Sequence, residues 1–174
     1  MKIFKTKFKG LFIVRQKNNS DKRGSLREIY NKKVLKKNNF VFEYCTISKK
    51  NSLRGFHFQF KFQQAKYVSV LKGKILDCVI DLRKKSKTFG KTFSIILDSR
   101  KNTSLFIPVG FAHGFKSLKD NSIMLYACSE NRYPKYERGL IWNDKDLKIK
   151  WPNRKKNILS KKDKNNISFK NLKY

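Results

Sequence analysis

The chain contains few of the residues that build metal centres and disulfide frameworks. Its 174 residues include three cysteines, two histidines and twelve acidic side chains. Cys45, Cys78 and Cys128 form no CxxC pair and, being odd in number, cannot all pair with one another. Neither a disulfide framework nor a zinc knuckle is therefore expected, and a reducing compartment fits this cysteine usage.

Long apolar runs are also absent. No eighteen consecutive residues are apolar, and residues 1–14 interleave lysine with apolar side chains instead of forming the apolar segment of a signal peptide. The sequence therefore predicts a soluble, cytoplasmic protein with no membrane partner. The length predicts one domain over 1–174, of which about 155–174 is a lysine-rich C-terminal segment.

Acidic residues are so scarce that the net charge is +31, from 43 basic and 12 acidic side chains. Such a charge suggests nucleic-acid binding, but its placement argues against it. The basic residues occur as scattered doublets, and lysine outnumbers arginine 34 to 9, whereas sites that read bases favour the arginine fork. We interpret the charge as solvated surface and do not expect a nucleic-acid partner.

Apolar residues make up 39% of the chain and include fifteen phenylalanines, which is enough for a hydrophobic core. Short β-prone segments occur at 66–71, 75–82, 91–97, 104–107 and 122–128. Lys72-Gly73 lies between the first two and predicts a hairpin. A short helix is expected over 31–39, and another begins at Ser160. The pattern predicts a mostly β fold, a jelly-roll sandwich or barrel with short peripheral helices.

The chain has only two histidines, and each is a candidate functional residue. His113 lies in a PxGxxH segment, Pro108 to His113, which is typical of cupin-like jelly rolls where a turn aims the histidine into the barrel. A cupin metal site would need a second histidine two residues after His57 and a nearby carboxylate. Gln59 occupies that position, and no acidic residue occurs between His57 and Asp77. A metal site is therefore not expected.

Without a metal, His57 is either a general base or a satisfied core histidine. Its surroundings favour the first interpretation, because Arg54, Gln59 and Lys66 flank it. Residues two apart share a strand face, so His57 and Gln59 should point the same way. A polar lining inside an apolar barrel costs free energy unless it meets a ligand.

Seven short motifs occur in order along almost the whole chain. They are DKRG at 21–24, LRGFHFQ at 53–59, QAKYV at 64–68, DLRKKSKTFG at 81–90, IPVGFAHGF at 107–115, ERGLIWND at 137–144 and IKWP at 149–152. In this set the chain resembles the dTDP-4-dehydrorhamnose 3,5-epimerase family. The resemblance implies a cupin-like jelly-roll homodimer that uses no metal and no organic cofactor. The implied substrate is a nucleotide-linked 4-keto-6-deoxyhexose, used in making a surface polysaccharide.

The resemblance also implies catalytic roles. A hydrogen next to the C4 ketone is removed, an enolate develops on O4, and a proton returns from the opposite face of the ring. By resemblance, His57 is the base and Asp163 its carboxylate partner. Tyr126 matches the proton donor, and Lys66 matches the lysine beside the developing enolate.

The implied substrate-binding residues are assigned one position at a time. Gln59 belongs to this set as the neighbour of His57 on the expected strand face, and Arg132 stands where the family has a tyrosine that stacks on the thymine. The whole set is Arg23, Glu28, Arg54, Gln59, His113, Arg132, Glu137 and Lys162.

The sequence departs from the family pattern on the nucleotide side. Phe42-Glu43-Tyr44 replaces the usual Gln-x-Asn segment, so its amide contacts are lost. At the thymine-stacking position, Arg132 can stack on a base through its guanidinium, or a one-residue slip can present Tyr133 instead. The nucleotide base is therefore left open by the sequence.

Two alternatives to a double epimerase stay open. One is an enzyme that inverts only C3 or only C5, or that acts on another nucleotide sugar, since the catalytic residues do not report how many protons are exchanged. The other is a non-catalytic jelly-roll module that binds a sugar nucleotide or a nucleic acid through its lysines. Such a module would bind its ligand with a steep dependence on salt and would exchange no protons.

Overall fold

Thirteen β-strands form within residues 1–35 and 39–173, which the computed structural model describes. They are β1 Lys2–Lys5, β2 Phe12–Arg15, β3 Lys17–Asp21, β4 Gly24–Glu28, β5 Phe42–Ser48, β6 Leu53–Gln59, β7 Lys66–Lys72, β8 Lys74–Asp81, β9 Thr92–Asp98, β10 Thr103–Ile107, β11 Phe111–Ser117, β12 Ser122–Cys128 and β13 Glu137–Gly139. The helical elements are α1 Lys161–Lys164 and 3-10 turns at Ser99–Lys101, Pro134–Tyr136, Arg154–Lys156 and Phe169–Asn171. The predicted mostly β fold class is confirmed.

The strands form two antiparallel sheets that pack face to face. The six-stranded sheet has the order β1-β2-β10-β7-β12-β5, and the five-stranded sheet has the order β13-β6-β11-β8-β9. β3 and β4 pair only with each other and form a separate hairpin. This is a cupin-like sandwich in which the inward faces of both sheets can line a shared interior.

The apolar interior between the sheets follows from period-two alternation along the strands. On β12, Met124 and Cys128 point inward, and Val68 and Val70 do so on β7. Val79 and its neighbours on the five-stranded sheet pack against them. Fully burying one such aliphatic side chain contributes about 1.5–3 kcal/mol, so this cluster holds the two layers together.

The predicted hairpin at Lys72-Gly73 is wrong. β7 pairs with β10 and β12 in the six-stranded sheet, whereas β8 pairs with β9 and β11 in the five-stranded sheet. The turn therefore passes from one layer to the other. Gly73 has a φ of +84° and an added Cβ would lie 3.0 Å from Ser122 Cα, which explains the glycine at this crossing.

The helix predictions have different outcomes. Residues 31–35 form turns rather than a helix, with Val34 N–H and Leu35 N–H both donating to the Asn31 carbonyl, and 36–38 lie outside the described residues. The start at Ser160 is confirmed, because its Oγ accepts the Asp163 N–H at 3.0 Å and caps α1.

The chain that follows β13 packs on the outer face of the five-stranded sheet. Leu147, Ile149 and Trp151 join its outer apolar cluster, and Ile158 forms a bridge with Ser52 just before β6. The buried Lys116 Nζ donates to backbone carbonyls of this segment, that of Asn153 at 3.1 Å. These contacts bring α1 beside β6. No helix within 1–35 and 39–173 is long and apolar enough to cross a bilayer.

Candidate active site

A cavity of about 660 Å³ opens between the two sheets. Its size lies in the range of small-molecule sites. Nine of the twelve residues that the sequence analysis assigned to the site line this cavity. They are His57, Tyr126, Asp163, Lys66, Arg54, His113, Arg132, Glu137 and Lys162.

His57 on β6 forms a hydrogen bond with Asp163 on α1. Its Nε2 lies 2.6 Å from Asp163 Oδ1, and the carboxylate is almost fully buried while the imidazole is about one-third exposed to the cavity. Burial raises the pKa of Asp163, but the hydrogen bond and charge of His57, with hydrogen bonds from the Ser160 side chain and the Gly55 backbone, outweigh it, so the pKa lies below its ordinary value. The carboxylate is therefore ionised and fixes His57 through Nε2, which leaves Nδ1 as the nitrogen that can accept a proton.

A second histidine–aspartate pair lies beside the first. His113 is the cross-strand partner of His57, and its Nε2 lies 2.8 Å from Asp77 Oδ2, with both side chains buried. Strands β6 and β11 lie so close together here that a Cβ added at Gly55, where φ is +122°, would lie 2.5 Å from Gly114 Cα. Glycine at this point thus lets both histidines reach the same cavity wall.

Tyr126 and Lys66 belong to the facing sheet. Burial raises the pKa of Tyr126 well above its ordinary value, so its hydroxyl stays protonated at neutral pH. Burial lowers the pKa of Lys66, while Cys128 and Glu137 oppose that effect. The wall opposite the His57–Asp163 pair thus offers a neutral hydroxyl donor and a partly buried amine.

The position of these groups on different layers is the main chemical feature of the cavity. His57 belongs to β6 in the five-stranded sheet, and Tyr126 belongs to β12 in the six-stranded sheet. A ring held between the layers would have a proton acceptor on one face and a proton donor on the other. That arrangement can invert a carbon centre by removing a proton from one side and returning one from the opposite side.

A charged triad lies on the cavity wall. Glu137 accepts from Arg132 Nε at 2.7 Å and from Lys162 Nζ at 3.0 Å. The hydrogen bond from Arg132, together with Lys162, lowers the pKa of Glu137 to about 2. Arg54 lines the cavity as well, with its Nε donating to Ser48 Oγ at 3.1 Å. Arg54, Arg132 and Lys162 thus border the cavity, and Glu137 forms ion pairs with the last two.

Three of the predicted binding residues do not line the cavity. Arg23 is 91% exposed and pairs with Asp21 on the β3–β4 hairpin, and Glu28 accepts a hydrogen bond from Asn31 at the end of β4. Gln59 is buried and its amide binds backbone, accepting from Tyr133 N–H at 2.6 Å.

Gln59 also donates to the Phe62 carbonyl at 2.7 Å and to the Asn131 carbonyl at 3.2 Å. It therefore fixes the loop that carries Arg132 rather than facing the cavity. Of the two alternatives for the stacking position, Arg132 lines the cavity, whereas Tyr133 packs on Phe62 with ring centroids 4.9 Å apart.

Sequence reasoning missed two contributors. Tyr44 lines the cavity and stacks on Tyr126, and Asp77 holds His113. The available signals were the alternation of inward residues along β5 and a carboxylate in the middle of the largely apolar strand β8. Within 1–35 and 39–173, no group of three or more histidine, cysteine, aspartate or glutamate residues could hold a metal ion.

Comparisons with known proteins agree with this architecture. The family model described as dTDP-4-dehydrorhamnose 3,5-epimerase matches residues 5–171. An enzyme of that name from Methanothermobacter thermautotrophicus is 37% identical over 170 residues, covering 94% of this chain and 92% of its own.

Two solved structures are similar over nearly the whole chain. The Legionella pneumophila epimerase, in complex with dTDP-4-keto-L-rhamnose, has a TM-score of 0.95 and 32% identity, covering 99% of this chain and 94% of its own. A 3'-monoepimerase from Streptomyces bikiniensis, in complex with dTDP-quinovose, has a TM-score of 0.88 and 28% identity, covering 94% and 85%.

Fold and matches together define a sugar-nucleotide epimerase built on a cupin-like sandwich. The chain belongs to the dTDP-4-dehydrorhamnose 3,5-epimerase family.

Proposed function

We propose that this protein epimerises C3 and C5 of dTDP-4-dehydro-6-deoxyglucose, giving dTDP-4-dehydro-L-rhamnose. The observation that carries the proposal is the placement of His57 and Tyr126 on opposite layers of one cavity. Inversion at a carbon next to a ketone requires a base on one face and an acid on the other. The product would supply an activated deoxysugar for a surface polysaccharide.

The first step is proton abstraction by His57. Its Nδ1 takes the hydrogen from C3 or C5, the C–H electron pair enters the enolate, and negative charge develops on O4. Asp163, 2.6 Å from Nε2, stabilises the imidazolium that forms. Lys66 supplies a donor for O4 in a water-poor site, where such a contact lowers the barrier most.

The second step is reprotonation from the other layer. The Tyr126 hydroxyl gives its proton to the enolate carbon, the new C–H bond forms on the face opposite His57, and the C4 ketone is restored. The tyrosinate then regains a proton from water as the imidazolium loses one. Atoms and electrons balance without a cofactor, and none is proposed.

The remaining cavity residues are proposed to bind the nucleotide diphosphate. Arg54 and Lys162 offer cations for phosphate oxygens, and His113 and Glu137 offer polar contacts to the substrate. Arg132 is the proposed stacking partner of the base, because its guanidinium is planar and it lines the cavity where Tyr133 does not.

A homodimer in the cytoplasm is proposed as the working form. Arg23 and Glu28 match substrate-contacting positions of the family, yet in one chain they lie outside the cavity on the β3–β4 hairpin. They can contact substrate only if the hairpin reaches the cavity of a second copy.

A single-site epimerase is the second candidate. It is supported by the similarity to the Streptomyces bikiniensis 3'-monoepimerase, whose fold is shared over 94% of this chain. The two candidates differ in how many ring protons exchange with solvent, which product analysis distinguishes.

The experiment is proton NMR of dTDP-4-dehydro-6-deoxyglucose incubated with the purified protein in D₂O. Loss of both the C3 and C5 proton signals, with formation of the rhamno-configured product, is expected. Loss at one position only would indicate the single-site enzyme. A folded sample that exchanges neither proton, but binds with steep salt dependence, would indicate a non-catalytic binding module.

A further inference from the structure

Tyr44 and Tyr126 form a face-to-face stack on the cavity wall. The two residues are cross-strand partners on β5 and β12, with ring centroids 4.4 Å apart and ring planes 10° from parallel. Such closeness follows from the antiparallel register, in which directly opposite side chains share a face and touch. Tyr44 is thus the side chain that covers one face of the Tyr126 ring.

His113 contacts the Tyr126 ring edge-on. The two ring centroids are 5.9 Å apart with planes at 67°, and His113 is itself held by Asp77. The Tyr126 ring is therefore held between a parallel ring from its own sheet and a perpendicular ring from the facing sheet. With both contacts in place, the ring has little freedom to rotate, and the position of its hydroxyl is fixed.

We propose that Tyr44 is a positioning residue for Tyr126, holding its hydroxyl on the face of the sugar opposite His57. The inference rests on the proposed function, because it assigns Tyr126 as the donor. A proton donor acts only from within hydrogen-bond reach of the carbon it protonates, and misplacement by about 1 Å can cost about a hundredfold in rate. The stack supplies this placement without touching the reacting atoms.

The charge environment supports the same role. The neighbouring Tyr44 phenol adds to the effect of burial in raising the pKa of Tyr126. Burial also raises the pKa of Tyr44 itself. Both hydroxyls are therefore neutral at working pH, and Tyr44 brings no competing charge to the donor.

The consequence of a misplaced donor can be measured directly. When His57 removes a proton and Tyr126 cannot return one, the imidazolium reprotonates the carbon on the original face. In D₂O the imidazolium first exchanges its proton with solvent, so the carbon receives a deuteron and the starting sugar is labelled with retention of configuration. The ratio of retained exchange to inversion therefore reports donor placement, and a merely structural loss of active protein does not change it.

The test compares Tyr44→Leu with Tyr44→Phe. Tyr44→Leu removes the ring, and the ratio of retained exchange to inversion should rise about tenfold while KM changes less than about threefold, since none of the proposed substrate-binding residues is changed. Tyr44→Phe keeps the stack and should match the parent protein. If Tyr44→Leu does not fold, Tyr44→Met fills the same space without a ring and is read in the same way.

Phe12→Leu is the matched control. Phe12 and Phe106 are also cross-strand partners in the six-stranded sheet, stacked with centroids 6.0 Å apart, and they are absent from the cavity wall. Its ratio should equal that of the parent. An active parent whose ratio is unchanged in Tyr44→Leu or Tyr44→Met, or altered in Tyr44→Phe, overturns the Tyr44 role alone. A parent that exchanges no proton overturns the proposed function and the Tyr44 role together.

Discussion

His57 and Asp163 are 106 positions apart in sequence and 2.6 Å apart in space, joined through Nε2 and Oδ1. A carboxylate in this position selects the imidazole tautomer whose other nitrogen can accept a proton. The pair therefore defines which nitrogen of His57 accepts the substrate proton.

Replacing His57 should stop proton exchange at both C3 and C5. His57→Ala leaves no acceptor on its side of the cavity, so we expect exchange at C3 and C5 to fall by about 10²–10⁴, the usual contribution of a general base. The measurement is the loss of ring-proton signals in D₂O. Near-parental turnover by a folded variant would remove His57 from the mechanism.

Altering the carboxylate partner should slow the reaction while leaving the fold intact. Asp163→Asn favours the wrong imidazole tautomer, and a fall in kcat of about 10²–10⁴ is expected by analogy with other histidine–carboxylate pairs. The control is Asp146→Asn, an exposed aspartate that does not line the cavity. Equal rates for the two variants would show that Asp163 takes no part.

Removing the donor should separate exchange from inversion. Tyr126→Phe keeps the buried ring but lacks the hydroxyl, so in D₂O His57 can still remove a proton, exchange it with solvent and return a deuteron to the same face. Deuterium should enter the starting sugar while product formation falls about 10²-fold or more. Isothermal titration with dTDP should give an affinity close to that of the parent. Parental product formation would assign the donor elsewhere.

Replacing Arg132 should weaken nucleotide binding more than it slows catalysis. Arg132→Ala removes the proposed stacking group, and we expect the Kd for dTDP to rise about tenfold, or about 1.4 kcal/mol, with kcat changed less. Arg138→Ala is the control, an exposed arginine of the neighbouring strand β13 that is absent from the cavity wall. Unchanged affinity in Arg132→Ala would exclude stacking at this position.

Arg132 should also control the pKa of Glu137. In the parent its pKa is lowered to about 2, from an ordinary 4.5, first by the hydrogen bond from Arg132 and then by Lys162. A lowered folded-state pKa gives stability that is present above pH 4.5 and is lost as the pH falls through about 2. In Arg132→Ala the carboxyl pKa should move up toward 4.5, measured by carbon NMR of labelled glutamate. A titration that does not move would mean that Lys162 alone holds the carboxylate.

Many of the strands were predictable because the pattern of apolar and polar residues that indicates a strand is local in the sequence. The strand at 122–128 was predicted with its observed bounds, and those at 66–71, 91–97 and 104–107 within one residue at either end. The connection at Lys72-Gly73 was not, because a tight turn between two strands is compatible with pairing within a sheet or with passage to the other layer. Both strands are buried along most of their length, so their patterns did not distinguish the two.

The candidate site was predictable where a motif fixes a side chain to a strand face. Gln59 shows the limit of that reasoning. It follows His57 by two residues as a cavity-lining residue should, but a loop 72 residues further along the chain uses its amide. Tyr44 shows the opposite limit, because its importance comes from the register of β5 on β12, and no local pattern records which residues two strands place opposite each other.

The division of the acid and the base between two sheets gives the hydrophobic core a part in the chemistry. The distance between the base His57 and the acid Tyr126 is set by the separation of the two sheets. That separation is kept by the side chains packed between the sheets, which include Val68, Val79 and Phe115. Packed sheets stand about 10 Å apart, and a core of crystal-like density transmits even the loss of one methylene. The core is thus a spacer of fixed thickness, and its volume is constrained by reactivity as well as by stability.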